Sequence, residues 1–295
     1  MVASGLARTA ADPPKLAMGP DVMVNVASVG KMFTTIAVLK SLARHHRSID
    51  SRISPLLPPD WAKGPGIDTI TFRELLHRAG FRLDSGLVFT TDNAARDQVR
   101  HGIDQVDQQV ADYNNINFTI FRDLLPFLEG ARDQGPAANR FFISYVQRQV
   151  FDPVGVTDAS CAPVRKAMLM YPPPFSGTAP GSPAAVGPSA CAGGGWFMTP
   201  ASLLRVLQGL ISGRLLSGSQ REQMDDNCLG WDCSIAGQTG YRGKYGGGCG
   251  GSAGLQIFFG ILAGTIPVVI ATNSNGPPPL QAVVQTALRA ATSPR

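Results

Sequence analysis

The stretch "NVASVGKMFTT", residues 25–35, sets a serine three positions ahead of a lysine at the head of a long apolar run. From Val29 to Leu42 apolar residues fall at 29, 32, 33, 36, 37, 39 and 42, around nearly the whole helical circumference, which predicts a buried helix. Ser28 stands at its N-terminus, where a serine side chain can cap free backbone N–H groups. Lys31 follows one turn later on the same face, so the two heads can meet. Taken singly, Ser28 reads as a cap and Lys31 as a surface charge; the rest of the chain decides whether the pair does chemistry.

With 295 residues, 44% of them hydrophobic, the chain can bury a substantial core in one large domain or two closely connected ones. A charged fraction of 16% with 33 glycines and 23 prolines points to turns and close backbone approaches, not to a bundle or coiled coil. The net charge of +5 comes from interspersed charges without dense basic runs, so no nucleic-acid partner is expected. The longest apolar stretch, "LQIFFGILAGTIPVVIAT" at 255–272, is broken by Gln256, Gly260, Gly264 and Pro267. It predicts a buried hairpin and no membrane span. "MVASGLARTAADPPK" lacks the apolar core of a signal peptide, so the chain reads as soluble, either cytoplasmic or exported with a signal removed.

Five cysteines cannot all pair, and none shows a metal-binding spacing. Cys228 and Cys233 lie close enough for one bridge, Cys161 and Cys191 can form another in an oxidising compartment, and Cys249 would then be free. "ITFRELLHRAGF" predicts a short helix with Thr71 and Glu74 at capping-box spacing. A polar stretch to residue 112 precedes two helices, in "YNNINFTIFRDLLPFLEG" and in "ANRFFISYVQRQVFDPVG". The sequon "NFT" at 117–119 falls inside the first of these and carries little weight. Residues 166–195 form a long connection, and "TPASLLRVLQGLISG" resumes with Thr199 as cap and Pro200 at the first helical position. After 228 come glycine-rich turns, strands and a last helix in "PLQAVVQTALRAA". The expected class is α/β (α+β): residues 1–51 and 196–295 form a sheet domain, and 52–195 an inserted, mainly helical subdomain.

Four segments stand in a telling order: "SVGK" at 28–31, "YNN" at 113–115, "AGGGWFMTPASLLRVLQGLISGRLLS" at 192–217 and "GCGGSAG" at 248–254. Together they resemble the serine β-lactamase and penicillin-binding-protein superfamily, in particular its class C-like branch with family VIII carboxylesterases and D-aminopeptidases. The resemblance covers roughly residues 21–275 and implies a β-lactamase/transpeptidase-like fold, an antiparallel sheet flanked by helices. It implies that Ser28 is the nucleophile, that Lys31 and Tyr113 share the proton, and that Asn115 hydrogen-bonds substrate and lysine. A serine hydroxyl needs such a base, and burial favours a lysine's neutral form. The N–H groups of Ser28 and Gly251, beside Gly250, would hold the oxyanion, because glycine lets backbone donors approach it.

Two departures accompany the resemblance. Relatives carry a lysine or histidine two residues before the first glycine of the strand motif, and aligning "GGSAG" puts Gly248 there. Lys244 fills the role only if "KYG" is read as the triplet; the first alignment keeps the following glycines in step. A missing cation counts against carboxylate recognition and hence against β-lactams. Second, only 27 residues precede Ser28, where relatives have a helix and two strands, and a shortened sheet leaves pairing with a second copy, a homo-oligomer, open. A dinucleotide loop at 246–251 lacks the helix it would need to open, and a cysteine hydrolase on Cys249 lacks a matching histidine.

The expectation is a serine hydrolase acting through an acyl-enzyme at Ser28, chiefly a carboxylesterase on small esters. Alternatives are a β-lactamase or D-amino-acid peptidase on amides, or a binding scaffold of feeble activity. No metal or organic cofactor is implied.

Overall fold

The computed structural model describes residues 1–77, 80–81, 93–103, 113–171, 177–184, 187–232, 241–247, 254–274 and 280–292. The chain starts with two short strands, β1 (Leu6–Arg8) and β2 (Leu16–Ala17), paired antiparallel, followed by β3 (Val24–Asn25). A 3-10 turn at Ala27–Val29 leads into helix α1 (Gly30–Arg44). The helical stretch that follows holds α2 (Phe72–Leu76), α3 (Ala94–His101), α4 (Ile116–Thr119), α5 (Phe121–Leu128) and α6 (Gly135–Val146). Then come β4 (Phe197–Met198), α7 (Pro200–Ile211), α8 (Gly218–Asp226), strands β5 (Tyr241–Gly247), β6 (Gln256–Leu262) and β7 (Ile266–Thr272), and helix α9 (Leu280–Thr292).

Local chemistry explains the boundaries. Thr71 and Glu74 form the reciprocal capping box that opens α2, and Thr199 accepts from Ser202 N–H at the head of α7, with Pro200 behind it. The expected hairpin is β6 and β7, joined through Ala263 (φ 48°) and Gly264 (φ 74°). Its Pro267 is tolerated because, among the described residues, β7 is an outer strand of the order β5–β6–β7. The helix expected from 113 onward is split into α4 and α5 at Ile120. The next one ends in a π-turn at Gln147–Phe151 and stops at Gly155 (φ 69°). Two helices went unforeseen, α3 and α8, although Ser217 and Gln220 make a second capping box legible as S-x-x-Q. Asn117, the sequon residue, is wholly buried, and its amide grips the backbone of Phe81 at 2.6 and 3.0 Å.

Strand β6 alternates between two packing partners, as a pleated strand must. Ile257, Phe259 and Ile261 join the large core with α1, whereas Phe258 and Leu262 pack on Leu280, Val284 and Leu288 of α9. The sheet is thus covered on both faces, and α1 lies behind it, buried from Gly30 to Leu42 but for Lys40. Phe33 of α1 makes edge contacts with Phe151, at 5.0 Å between ring centroids, and with Phe259, at 6.3 Å. Trp196 meets Phe151 at 5.0 Å, so this aromatic cluster joins α1, the helical region and the sheet. Such pairs add about 0.5–1.5 kcal/mol each beyond their buried area.

Cys161 and Cys191 are disulfide-bonded, as the sequence allowed; Cys228 is also bridged, while Cys233 and Cys249 lie outside the described residues. Among the described residues no helix is long and apolar enough to cross a membrane.

Candidate active site

Ser28 is delivered by a forced change of direction. Strand β3 pairs with β4, and Val26 N–H bonds Trp196 O at 2.8 Å, holding the chain extended up to this point. Asn25 Oδ1 then accepts Ala27 N–H at 2.8 Å, and Ala27 adopts φ 45°, a left-handed conformation that costs a non-glycine residue about 1 kcal/mol. The turn lifts Ser28 onto the mouth of α1. The capping expectation is corrected here: the helix N-cap is Val29 without a side-chain bond, and the serine hydroxyl is directed elsewhere. Its Oγ shares a short hydrogen bond with Tyr113 OH and accepts from Lys31 Nζ at 3.2 Å.

Lys31 has no solvent exposure. Its Nζ donates to Ser28 Oγ, to Asn115 Oδ1 at 2.7 Å and to Gly193 O, three oxygens matching the three N–H bonds of an ammonium. Tyr113, half-buried just ahead of α4, presents its ring to two cations, Lys31 Nζ at 5.1 Å and Lys244 Nζ at 5.4 Å from the centroid. Ser28, Lys31, Tyr113, Asn115 and Lys244 therefore converge from three separate parts of the chain. Gly250 and Gly251 lie outside the described residues.

Lys244, reached in the sequence only through the "KYG" reading, stands on β5 and is fully buried. Asp232 clamps it: Oδ1 lies 2.6 Å from Lys244 Nζ, and Oδ2 accepts Tyr245 N–H at 2.7 Å. The residue two places on has the same backbone orientation, because antiparallel ladders alternate inward and outward pairs. Tyr245 N–H points away from β6, toward Asp232, so Gly247 N–H also points away from β6, on the opposite edge of β5. The strand also packs closely on the turn that carries Ser28: a Cβ on Gly246 would come 2.8 Å from Val26 O and 3.2 Å from Ala27 Cβ.

Sequence reasoning missed two members of this group. Gly193 lay within the recognised "AGGGW" segment, but nothing in it announced a carbonyl acceptor for Lys31. Asp232 sits far from Lys244 in a stretch read only for its cysteines.

The family model described as Beta-lactamase matches residues 3–292. The structure is similar to a class C beta lactamase from Rhodobacter sphaeroides, with a TM-score of 0.70 at 13% identity, covering 98% of this chain and 90% of that one. It is also similar to the octameric penicillin-binding protein homologue from Pyrococcus abyssi, with a TM-score of 0.69 at 15% identity over 94% of this chain and 67% of that one. A D-amino acid amidase from Ochrobactrum anthropi SV3 gives 0.61 at 18% identity over 92% and 81%. At these identities the likenesses bear on the fold. No curated protein matches the chain in sequence.

Proposed function

The chain belongs to the Beta-lactamase family, a family of serine hydrolases, and from that premise we propose that it cleaves small carboxylic esters through an acyl-enzyme at Ser28. One observation carries the reading: the Ser28 hydroxyl lies within hydrogen-bond reach of both Tyr113 OH and a fully buried Lys31 amine. In this reading Ser28 Oγ attacks the ester carbonyl carbon while its proton passes to the Tyr113–Lys31 pair, which act as one coupled unit. The carbonyl oxygen becomes an oxyanion, held by Ser28 N–H, one of the donors left over at the mouth of a helix, and by Gly247 N–H on the β5 edge. The tetrahedral intermediate collapses, the C–O bond to the alcohol breaks, and the alcohol leaves with the transferred proton. Water then repeats the sequence on the acyl-enzyme, and Ser28 recovers its hydrogen.

Asn115 fixes Lys31 and can reach a bound acyl group. Lys244 supports the Tyr113 ring and would stabilise negative charge developing on its hydroxyl. Assignment of residues 1–51 with 196–295 to a sheet domain, and of 52–195 to a helical one, belongs to the same proposal. So does homo-oligomer formation, for which the octameric similar protein is the support.

A fluorophosphonate probe with p-nitrophenyl butyrate as substrate tests the reading. We expect one label, mapped by mass spectrometry to Ser28 and lost in Ser28→Ala together with ester turnover. Folded protein that neither labels nor turns over the ester would overturn it.

A further inference from the structure

Two lysines stand at the site, and they are treated differently. Lys31 donates to three uncharged oxygens, whereas Lys244 is ion-paired with Asp232, at 2.6 Å with the lysine side chain 1% and the aspartate 13% exposed. Both carboxylate oxygens of Asp232 are engaged, one by Lys244 and one by Tyr245 N–H, and Asp232 N–H bonds Gly243 O at 2.9 Å. The residue is thus stitched along the edge of β5 and placed over the cation in a fixed pose.

Lys244 shares a strand face with Gly246, which packs on the nucleophile turn, and its amine lies beside the Tyr113 ring. A bare ammonium there would draw a substrate carboxylate into a charge-assisted hydrogen bond. With Asp232 in position, an incoming carboxylate must displace a clamped one or lie next to it as a like charge, and both are unfavourable. An uncharged ester meets no such barrier. Resting on the acyl-enzyme reading, we propose that Asp232 is a specificity-determining residue: by holding Lys244 it turns the site away from acyl donors bearing a carboxylate and toward uncharged esters.

Benzylpenicillin and its methyl ester make a matched pair, differing in the charge and in one methyl group. Their dissociation constants are measured by calorimetry on Ser28→Ala protein with and without Asp232→Asn, so the readout does not depend on turnover. Expected is a gain of about tenfold or more in affinity for benzylpenicillin in the Asp232→Asn chain, with the methyl ester changed by less than about threefold. Equal changes for both compounds, or no binding of benzylpenicillin to folded Asp232→Asn protein at millimolar concentration, would overturn the proposal. Asp232→Ser serves the same comparison where circular dichroism shows Asp232→Asn unfolded. Fluorophosphonate labelling of the Ser28-containing chain reports separately on the acyl-enzyme, so failure of that reading and failure of the Asp232 role give different results.

Discussion

Lys31 shows how a single side chain acquires chemistry from its surroundings. Its amine is removed from water and held by the Asn115 and Gly193 oxygens, with the Ser28 hydroxyl as the group among the three that can exchange a proton with it. Tyr113 is the cleaner target for substitution, since losing one hydroxyl leaves its ring between the two lysines. Tyr113→Phe is expected to lower the rate of Ser28 acylation by about 10²–10⁴, the span of general acid–base contributions, with the melting temperature little changed. Lys31→Ala should lower it at least as much and also reduce stability, because Asn115 and Gly193 would lose a buried donor. Stopped-flow acylation by p-nitrophenyl butyrate, read beside thermal melts, separates the two effects; wild-type rates in Tyr113→Phe would remove it from the mechanism.

Among the elements, β5 depends most on glycine. Gly246 lets the strand approach the nucleophile turn so closely that a methyl group would meet Ile257 Cγ2 at 2.6 Å and the Val26 carbonyl oxygen at 2.8 Å. Backbone cannot yield there without moving Ala27 and Ser28. Gly246→Ala should therefore reduce kcat more than tenfold, on the order of the loss of one oxyanion donor, as Gly247 N–H and Ser28 move apart. Gly218→Ala at the head of α8, where an added Cβ meets nothing within 4 Å, is the matched control and should leave kcat unchanged. Equal activity of the two variants would mean that β5 does not set the geometry. The elements themselves differed in legibility. The caps of α2 and α7 and the 255–272 hairpin could be read from local residue order, since cap bonds and turn glycines act within a few positions. Helix α3 could not: its residues 94–101, "AARDQVRH", offer few apolar contacts, and its place depends on distant partners.

At the scale of the molecule, the site is held by cross-links between regions remote in sequence. The Cys161–Cys191 bridge closes a separation of 30 residues and ends two positions before Gly193, the acceptor of Lys31. On the other end of α1, Glu129 accepts from Ser41 at 2.5 Å, Arg44 at 3.0 Å and Tyr145 at 2.9 Å, joining the nucleophile helix to α6. Burial pushes the Glu129 carboxyl upward, but the Ser41 and Tyr145 hydroxyls and the Arg44 charge outweigh it and hold the carboxyl below its ordinary 4.5. A carboxylate lowered in the folded state stabilises fully above its unfolded value, and that contribution is lost as pH falls through the folded one. Melting temperatures should therefore drop below about pH 4.5, and Glu129→Gln should flatten that acid limb while lowering stability at neutral pH; an unchanged limb would rule the network out as its cause. Tyr145 acts at the opposite end. Burial, reinforced by Glu129, pushes its hydroxyl up to about 12, so its contribution persists below pH 10 and fades as pH rises toward 12.

Residue order alone determined the buried start of α1, the serine and lysine one turn apart, the caps of α2 and α7, the hairpin and the landmarks that carried the family resemblance. These are signals of short range, in which periodicity, caps and turns act over a few residues. Only the tertiary structure decided that Tyr113 bridges two lysines, that Lys244 is the second of them, that Gly193 receives Lys31 and that Asp232 covers the cation. Each of those contacts joins groups at least 12 residues apart, through strand edges and packed helices whose meeting depends on burial of the whole core.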